Sequence, residues 1–313
     1  MIRSTLRRLA QAGLTALAAS LLVWAMLPLA PGDPAYRILK SQAPEHEPYP
    51  AEIAELRADM GLDRPLPVQY LAWLGRVVQG DLGTSWRTGQ PVSDEIARRL
   101  PATLSLLGLA LVVSVSVALL LALISAAFRD RWPDKIIRAY AQIGAALPTF
   151  LFGLLALQYV VVGAGVGKVL SGGALGMALL PALIIGVDRA AGWTQLLRAS
   201  LIDAMNSGYA HMSRARGSRP WRTLLIHALP NAALPFLTAI GVSVGALLGG
   251  SPIIEDLFTW PGLGSYTLSA LAARDFPVIQ AFVLVSALLY VAASLAIDLA
   301  AIAIDPRLRE ARA

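Results

Sequence analysis

Long apolar runs alternate with polar stretches along this chain, and the runs have the length that crosses a bilayer. About 20 mostly apolar residues in helical form span the hydrocarbon core. Six stretches reach that length: Ala10–Leu29, Ala102–Phe128, Ala139–Val166, Leu175–Leu197, Ala232–Gly250 and Val278–Ile304. No internal repeat or low-complexity tract interrupts them. The pattern predicts an all-α polytopic membrane protein with six transmembrane helices. Arg3, Arg7 and Arg8 precede the first run, as they would in a signal peptide. That run exceeds the core of about 7–15 residues of such a peptide, so it reads as an uncleaved anchor.

The polar segment between the first two runs has a helical periodicity of its own. Ile53, Leu56 and Met60 fall on one face before Gly61, which can stop a helix, and Val68, Leu71, Leu74 and Val78 repeat the pattern. Gly32-Asp33-Pro34 and Gly80-Asp81-Leu82-Gly83 are turn formers. A small helical subdomain is expected at 31–101. It covers the mouth of a pathway or braces the first two spans.

Composition agrees with the membrane reading. Of 313 residues, 56% are apolar and 15% charged, against about 45–50% and about 25% in a soluble domain. The formal charge of +6 suggests nucleic acid until the basic residues are placed. With a cytoplasmic N-terminus, four groups of cations fall inside: Arg3 to Arg8, Arg129 to Arg138, Arg198 to Arg222 and Arg307 to Arg312. The short outer loops hold only Lys168 and Arg274. This is the positive-inside pattern for an even number of spans with both termini cytoplasmic. The 31–101 segment is the exception, with eight basic and ten acidic residues, but a segment of that length crosses regardless of charge. No nucleic-acid partner is expected.

Chemistry is sparse. The absence of cysteine excludes a disulfide scaffold, an iron–sulfur cluster and a thiolate metal site or nucleophile. No Gly-x-Ser-x-Gly elbow or His-Glu-x-x-His pair is present. Gly163, Gly165, Gly167 and Lys168 mimic a phosphate loop but have Val162 and Val169 where that motif needs Gly and Ser or Thr. Glu45-His46-Glu47 offers one imidazole and two carboxylates, but adjacent residues of an extended chain point to different sides, so a solvated loop is the better reading. No catalytic or metal-ligating residue is assigned.

The informative stretch is the inner loop, 198–231. Two short amphipathic helices are expected there, broken at Gly217-Ser218, with Pro220 suited to the first turn of the second. An exposed basic helix pair between spans is a docking element or an ordinary basic loop.

Gly217 is followed by nine residues, one further residue, a spacer and Leu229-Pro230. This spacing resembles the coupling motif of ABC importer permeases. The whole chain is similar to the dipeptide, oligopeptide and nickel permease family through ordered phrases. These are Pro31-Gly-Asp-Pro34, Gly61-Leu-Asp-Arg-Pro65 with Gln69-Tyr70, Gly80-Asp-Leu-Gly-Thr-Ser85 and Leu100-Pro-Ala-Thr103. Ile254 to Gly264, Arg274 to Gln280 and Asp305-Pro-Arg307 complete the series.

The resemblance implies the type I importer permease class. Its parts would be the N-terminus with helix 1 (1–30), the external subdomain (31–101), a five-helix core (102–304) and a tail (305–313). Tyr209, Arg214, Arg216, Gly217, Leu229 and Pro230 would couple to a cytoplasmic ATPase. The external loop 253–277, with Trp260, Pro261 and Gly262, would meet a binding protein. Partners would be a homologous second permease, two ATPases that hold ATP and Mg, the external binding protein and the lipid of a bacterial inner membrane. No cofactor is expected in this chain. It departs from the family pattern at His211-Met212-Ser213, where the motif has Glu-Ala-Ala, and at Gln195, where an Arg is usual.

Within the spans, Gly241, Gly245 and Gly249 share one helix face, as a packing seam or a pore lining. Pro148 removes a backbone hydrogen bond and bends its helix. Asp188 and Arg189 lie in the fourth run, as part of the pathway or as an ion pair that could include Asp298. The external link between spans three and four, 167–174, is short, as in nickel or metal-chelate members of the family. Nickel or a chelate is therefore the expected cargo, and short peptides the alternative. An intramembrane enzyme would show paired catalytic residues, and a stand-alone channel would not need the coupling loop.

Overall fold

The computed structural model describes residues 2–29, 31–43, 45, 47–163 and 175–304, and side chains for 9–29, 31–40, 43, 45, 47–163 and 178–297. The described residues are nearly all helical. In order they form α1 (Ile2–Leu29), α2 (Pro34–Gln42), α3 (Pro50–Asp59), α4 (Leu66–Val78), α5 (Val92–Ala127), α6 (Trp132–Ala146) and α7 (Thr149–Ala156). A π turn, Leu157–Gly163, closes α7. Then come α8 (Leu175–Met205), α9 (Gly208–Ala215), α10 (Pro220–Arg222), a second π turn (Thr223–Ala228), α11 (Leu229–Leu257), α12 (Leu263–Ala273) and α13 (Phe276–Ile304).

Four helical stretches are long and apolar enough to cross a membrane: Leu9–Leu29, Val92–Ala127, Pro220–Leu257 and Phe276–Ile297. The third expected span is not one straight helix. α6 and α7 with its π turn pass the same test together but meet at 102°. Pro148 is the cause. Its ring forces Leu147 out of the helical region, to φ −103° and ψ 139°, and its nitrogen cannot donate. The fourth expected run lies in α8, whose 31 residues measure about 46 Å at 1.5 Å per residue. Asp188 and Arg189 stand near its middle, and its described part is not among the stretches apolar enough to cross by length and composition.

The described residues divide into two compact units, one within 2–101 and 262–292 and one within 102–261 and 293–304. In the first, Val92, Ile96, Leu263, Ala270, Val278, Ile279 and Ala281 make a buried core. Polar side chains then fix the connections. The Asp33 carboxylate caps α2 by accepting from the Ala35 amide at 2.9 Å and accepts from Arg57 at 2.8 Å. Gly61, at φ +66°, ends α3 as its position predicts, with the Leu62 amide reaching the Arg57 carbonyl at 3.0 Å. Gln69 donates to the carbonyls of Leu62 and Arg64, both at 2.8 Å.

Asp275, 3% exposed, locks Gly80–Ser85 to the start of α13. It accepts from Ser85 Oγ at 2.5 Å and from the amides of Trp86 and Arg87 at 3.1 and 3.4 Å. Gln280 donates to the carbonyls of Val23 and Trp24 in α1. Burial, then the Asp275 and Glu95 carboxylates, push the Tyr266 hydroxyl up from its ordinary value, and the Arg99 guanidinium lies 4.8 Å from its ring centre.

The face of α4 that packs differs from the expected one. Val68, Leu71 and Val78 are exposed, while Tyr70 stacks on Trp73, meets Trp24 edge-on and bonds Ser20 through its hydroxyl at 2.9 Å. An aromatic pair with a polar tip buries more area than the aliphatic stripe and also finds a hydrogen-bond partner.

In the second unit the core is built from α5, α8, the second π turn and α11, through Ala118, Ala122, Trp193, Leu197, Leu201, Leu224, Ala228 and Phe236. Trp193 and Phe236 meet edge to face at 5.9 Å. Glycine lets these helices approach. A Cβ on Gly186 would lie 2.5 Å from Val113, and one on Gly144 2.6 Å from Ala191. Of the three glycines expected on one face of α11, Gly241 packs on Ile297, with a Cβ contact of 3.2 Å. Gly245 is half-buried, and Gly249 faces open space.

Candidate coupling segment and intramembrane cavity

The segment after α8 begins with a short amphipathic helix. Ala210 and Ser213 of α9 are buried, and Ser213 Oγ lies 3.2 Å from the buried Thr223 hydroxyl. α9 ends in a Schellman turn: the Gly217 amide bonds the Arg214 carbonyl at 2.9 Å, and the Ser218 amide bonds that of Ser213 at 3.2 Å. This turn sets Gly217 at φ +83°. A Cβ there would meet nothing within 4 Å, so backbone geometry rather than space demands glycine.

The expected second short helix is instead the start of a long one. From Pro220 the chain runs as one continuous helical stretch of 38 residues to Leu257. Leu229-Pro230 therefore lies inside a helix. The π turn at Thr223–Ala228 sits directly before it and gives the wider pitch that a ring without an N–H requires. The inner side of this turn is buried, with Leu224 and Ala228 packed in one cluster with Leu197, Leu201 and Ala204 of α8 and Thr223 against Ser213. The outer side presents Trp221, Leu225 and Ile226, and α9 adds Tyr209 and Met212, all more than 40% exposed. Arg216, Arg219 and Arg222 are exposed, while Arg214 is half-buried and turns back to His211 Nδ1 at 2.9 Å. The result is an apolar patch edged with guanidinium groups, the composition of a protein-docking surface.

Behind this segment stands an ion pair that sequence reasoning did not find. Asp134 of α6 is 0% exposed. Arg198 of α8 grips it with Nε to Oδ1 at 2.7 Å and Nη2 to Oδ2 at 2.8 Å. Ser125 of α5 donates to the same carboxylate, as does the Asp130 amide at 2.9 Å. Three helices thus converge on one carboxylate two turns before α8 ends. The signal was Asp134, one of two acids in a basic loop, but its partner is 64 residues away.

The break at Leu147–Pro148 opens a cavity of about 520 Å³ between α6, α7 and α8, with Ile143, Phe152, Leu183, Ile184 and Val187 on its apolar walls. Tyr140 and Asp188 also line it. Tyr140 donates to the Val187 carbonyl, and Thr149 Oγ1 donates to Asp188 Oδ2 at 2.7 Å. Arg189 is half-buried, and its buried Nε has no hydrogen-bond partner among the described residues. Asp298 lies outside the described side chains.

Trp260, expected at an external face, is 1% exposed, and its indole donates to the Ala102 carbonyl at 3.0 Å. Glu255, wholly buried nearby, accepts from Thr103 at 2.9 Å. Pro261 is exposed and Gly262 buried. The phrases around Thr103 and Glu255 are thus joined by a structural lock. Glu47 accepts from the Tyr36 hydroxyl and the Lys40 ammonium; this bond raises the Lys40 pKa. His46 and residues 164–174, including the short link between spans three and four, lie outside the described residues.

Residues 118–310 match the family of binding-protein-dependent transport system inner membrane components, and residues 1–107 match the N-terminal family of such components. A putative peptide permease protein of Brucella ovis is 37% identical over 99% of both chains. A glutathione transport system permease protein of Pectobacterium atrosepticum is 37% identical over 94% of this chain and 95% of its own. The corresponding protein of Salmonella typhimurium is 35% identical over 99% of both.

Proposed function

This chain belongs to the family of binding-protein-dependent transport system inner membrane components, and from that premise we propose that it carries short peptides inward across the membrane. It is a non-catalytic permease subunit of an ABC importer, and ATP is hydrolysed by separate partner subunits. The nickel or metal-chelate expectation gives way. It rested on the length of one external link, whereas relatives matched over nearly their full length are named for peptide and glutathione transport.

The observation that carries the coupling role is the exposed patch of Tyr209, Met212, Trp221 and Leu225, edged by Arg216, Arg219 and Arg222 and built on the left-handed turn at Gly217. In this reading the patch seats in a cleft on an ATPase that holds ATP and Mg. Its buried side, packed on the end of α8, carries the closure of that subunit into the spans. A second, homologous permease and a second ATPase complete the assembly, both termini face the cytoplasm, and the surface at Pro261 meets the binding protein.

The test is uptake by the assembled transporter in proteoliposomes, with its binding protein outside and ATP inside. Labelled dipeptide, glutathione and nickel with and without chelators are compared. ATP-dependent accumulation of dipeptide is expected, and accumulation of nickel or its chelate alone would overturn the reading.

A further inference from the structure

We propose that the exposed face of α4 lies in lipid, in the leaflet around the Leu29 end of α1, which is the outer one when the N-terminus is cytoplasmic. The segment after α1 is then partly an interfacial element and not wholly surrounded by water. Depth along α1 points to this. Tyr70 of α4 bonds Ser20 at 2.9 Å and holds its ring 5.6 Å from that of Trp24. Ser20 stands nine residues and Trp24 five before Leu29, where the apolar stretch of α1 ends. At 1.5 Å per residue they lie about 13 Å and about 8 Å inward of that end, within a hydrocarbon core about 30 Å thick. α4 thus accompanies α1 into the bilayer instead of resting above it.

The side chains of α4 suit that setting. Tyr70 meets α1 and stacks on Trp73, while Leu66, Val68, Leu71 and Val78 face outward, 44–79% exposed. A helix surrounded by water turns its aliphatic residues inward; here lipid takes them. Polar groups that hydrocarbon would strand are met inside the protein. Ser20 gives its proton to the Leu17 carbonyl at 2.8 Å, so the Tyr70 hydroxyl is the donor to Ser20. Gln69 directs its amide to the carbonyls of Leu62 and Arg64. At the start of the helix Pro67 has no N–H, and the amides of Val68 and Gln69 bond the Pro65 carbonyl at 2.9 and 3.1 Å. Arg76 is the only charged residue in 66–78, and its long stem lets a guanidinium in the last turn reach the headgroups. A face built to bind protein would instead carry aromatic or arginine anchors at its centre.

The chain has no cysteine, so single thiols at Val68→Cys and Leu71→Cys place an NBD fluorophore on this face. Glu55→Cys, at an exposed position of α3, is the control in water. The three are compared in the complete transporter with cysteine-free partner subunits, in vesicles of phosphatidylethanolamine and phosphatidylglycerol. Quenching is measured by lipid that carries a doxyl group on its acyl chain and by iodide in the water. Emission from positions 68 and 71 should shift to the blue, lose most of its intensity to the doxyl lipid and resist iodide. Emission from position 55 should do the reverse.

Iodide quenching at 68 and 71 equal to that at 55 would overturn the inference, since the face would then lie in water. A blue shift that doxyl lipid does not quench would overturn it as well, since a partner subunit or the binding protein would then cover the face.

Discussion

Asp134 and Arg198 hold α5, α6 and α8 together immediately ahead of the proposed coupling segment, and neutralising one of them leaves the other buried with an uncompensated charge. Asp134 is fully buried, whereas the Arg198 side chain keeps 17% of its surface exposed. Breaking a buried pair from one side costs about 3–5 kcal/mol. Since water reaches part of Arg198, the lower end, about 3 kcal/mol, applies to Asp134→Asn. Arg138, at 3.7 Å and 45% exposed, adds no more than the ~0.5 kcal/mol of a surface pair. Arg198→Gln leaves the carboxylate stranded, although Ser125 and the Asp130 amide still solvate it, and costs about the same. The double variant strands no charge and keeps nearly the same volume, so its cost should be no greater than that of either single change. The cycle then gives a coupling of at least about 3 kcal/mol. Denaturant unfolding of the four proteins in mixed micelles, followed by far-ultraviolet circular dichroism, measures it. A coupling below about 1 kcal/mol, the worth of an exposed pair, would refute the reasoning.

Gly217→Ala should cost about 1–2 kcal/mol through its left-handed backbone and lower substrate-stimulated ATP hydrolysis. Gly249→Ala, in a helix with open space around it, should be neutral or stabilising by up to about 1 kcal/mol; melting curves and ATPase rates of both variants compare them. Trp260→Phe removes the indole bond to the Ala102 carbonyl, which keeps the Ser105 hydroxyl as a donor, and should lower stability by about 0.5–1.5 kcal/mol, where an exposed contact residue would show no change in unfolding midpoint. Asp275→Asn weakens the bonds from Ser85, Trp86 and Arg87 and should cost about 1.5–3 kcal/mol, seen as faster proteolysis within 80–91.

Features that depend on one residue's backbone preference were legible in the sequence. Gly61 and Gly217 stop their helices because each takes a positive φ that other residues resist, and Pro148 breaks the third span because its ring and missing N–H act within one turn. The extent of that break was not legible, since helical continuity through 139–166 is what a hydropathy pattern reports. Contacts between distant residues were not legible either. Nothing local in Asp134 names Arg198, and nothing in Trp260-Pro261-Gly262 distinguishes an external aromatic from one buried against Ala102. The second short helix expected before Leu229-Pro230 runs on instead into α11, through the π turn that precedes the proline. The nickel expectation rested on a loop length, and relatives named for peptide and glutathione transport favour the peptide alternative instead.

The central claim is that the surface of α9 and the turn after it docks on an ATPase. Met212 is exposed at the middle of that surface, and the chain offers no competing thiol. A benzophenone attached to Met212→Cys in the assembled transporter and exposed to light should give one adduct, of this chain with the ATPase, and should stop ATP-driven uptake. The same label on Leu71→Cys in the polar segment after α1 should give no such adduct. An ATPase adduct from position 71, or none from position 212, would contradict the account.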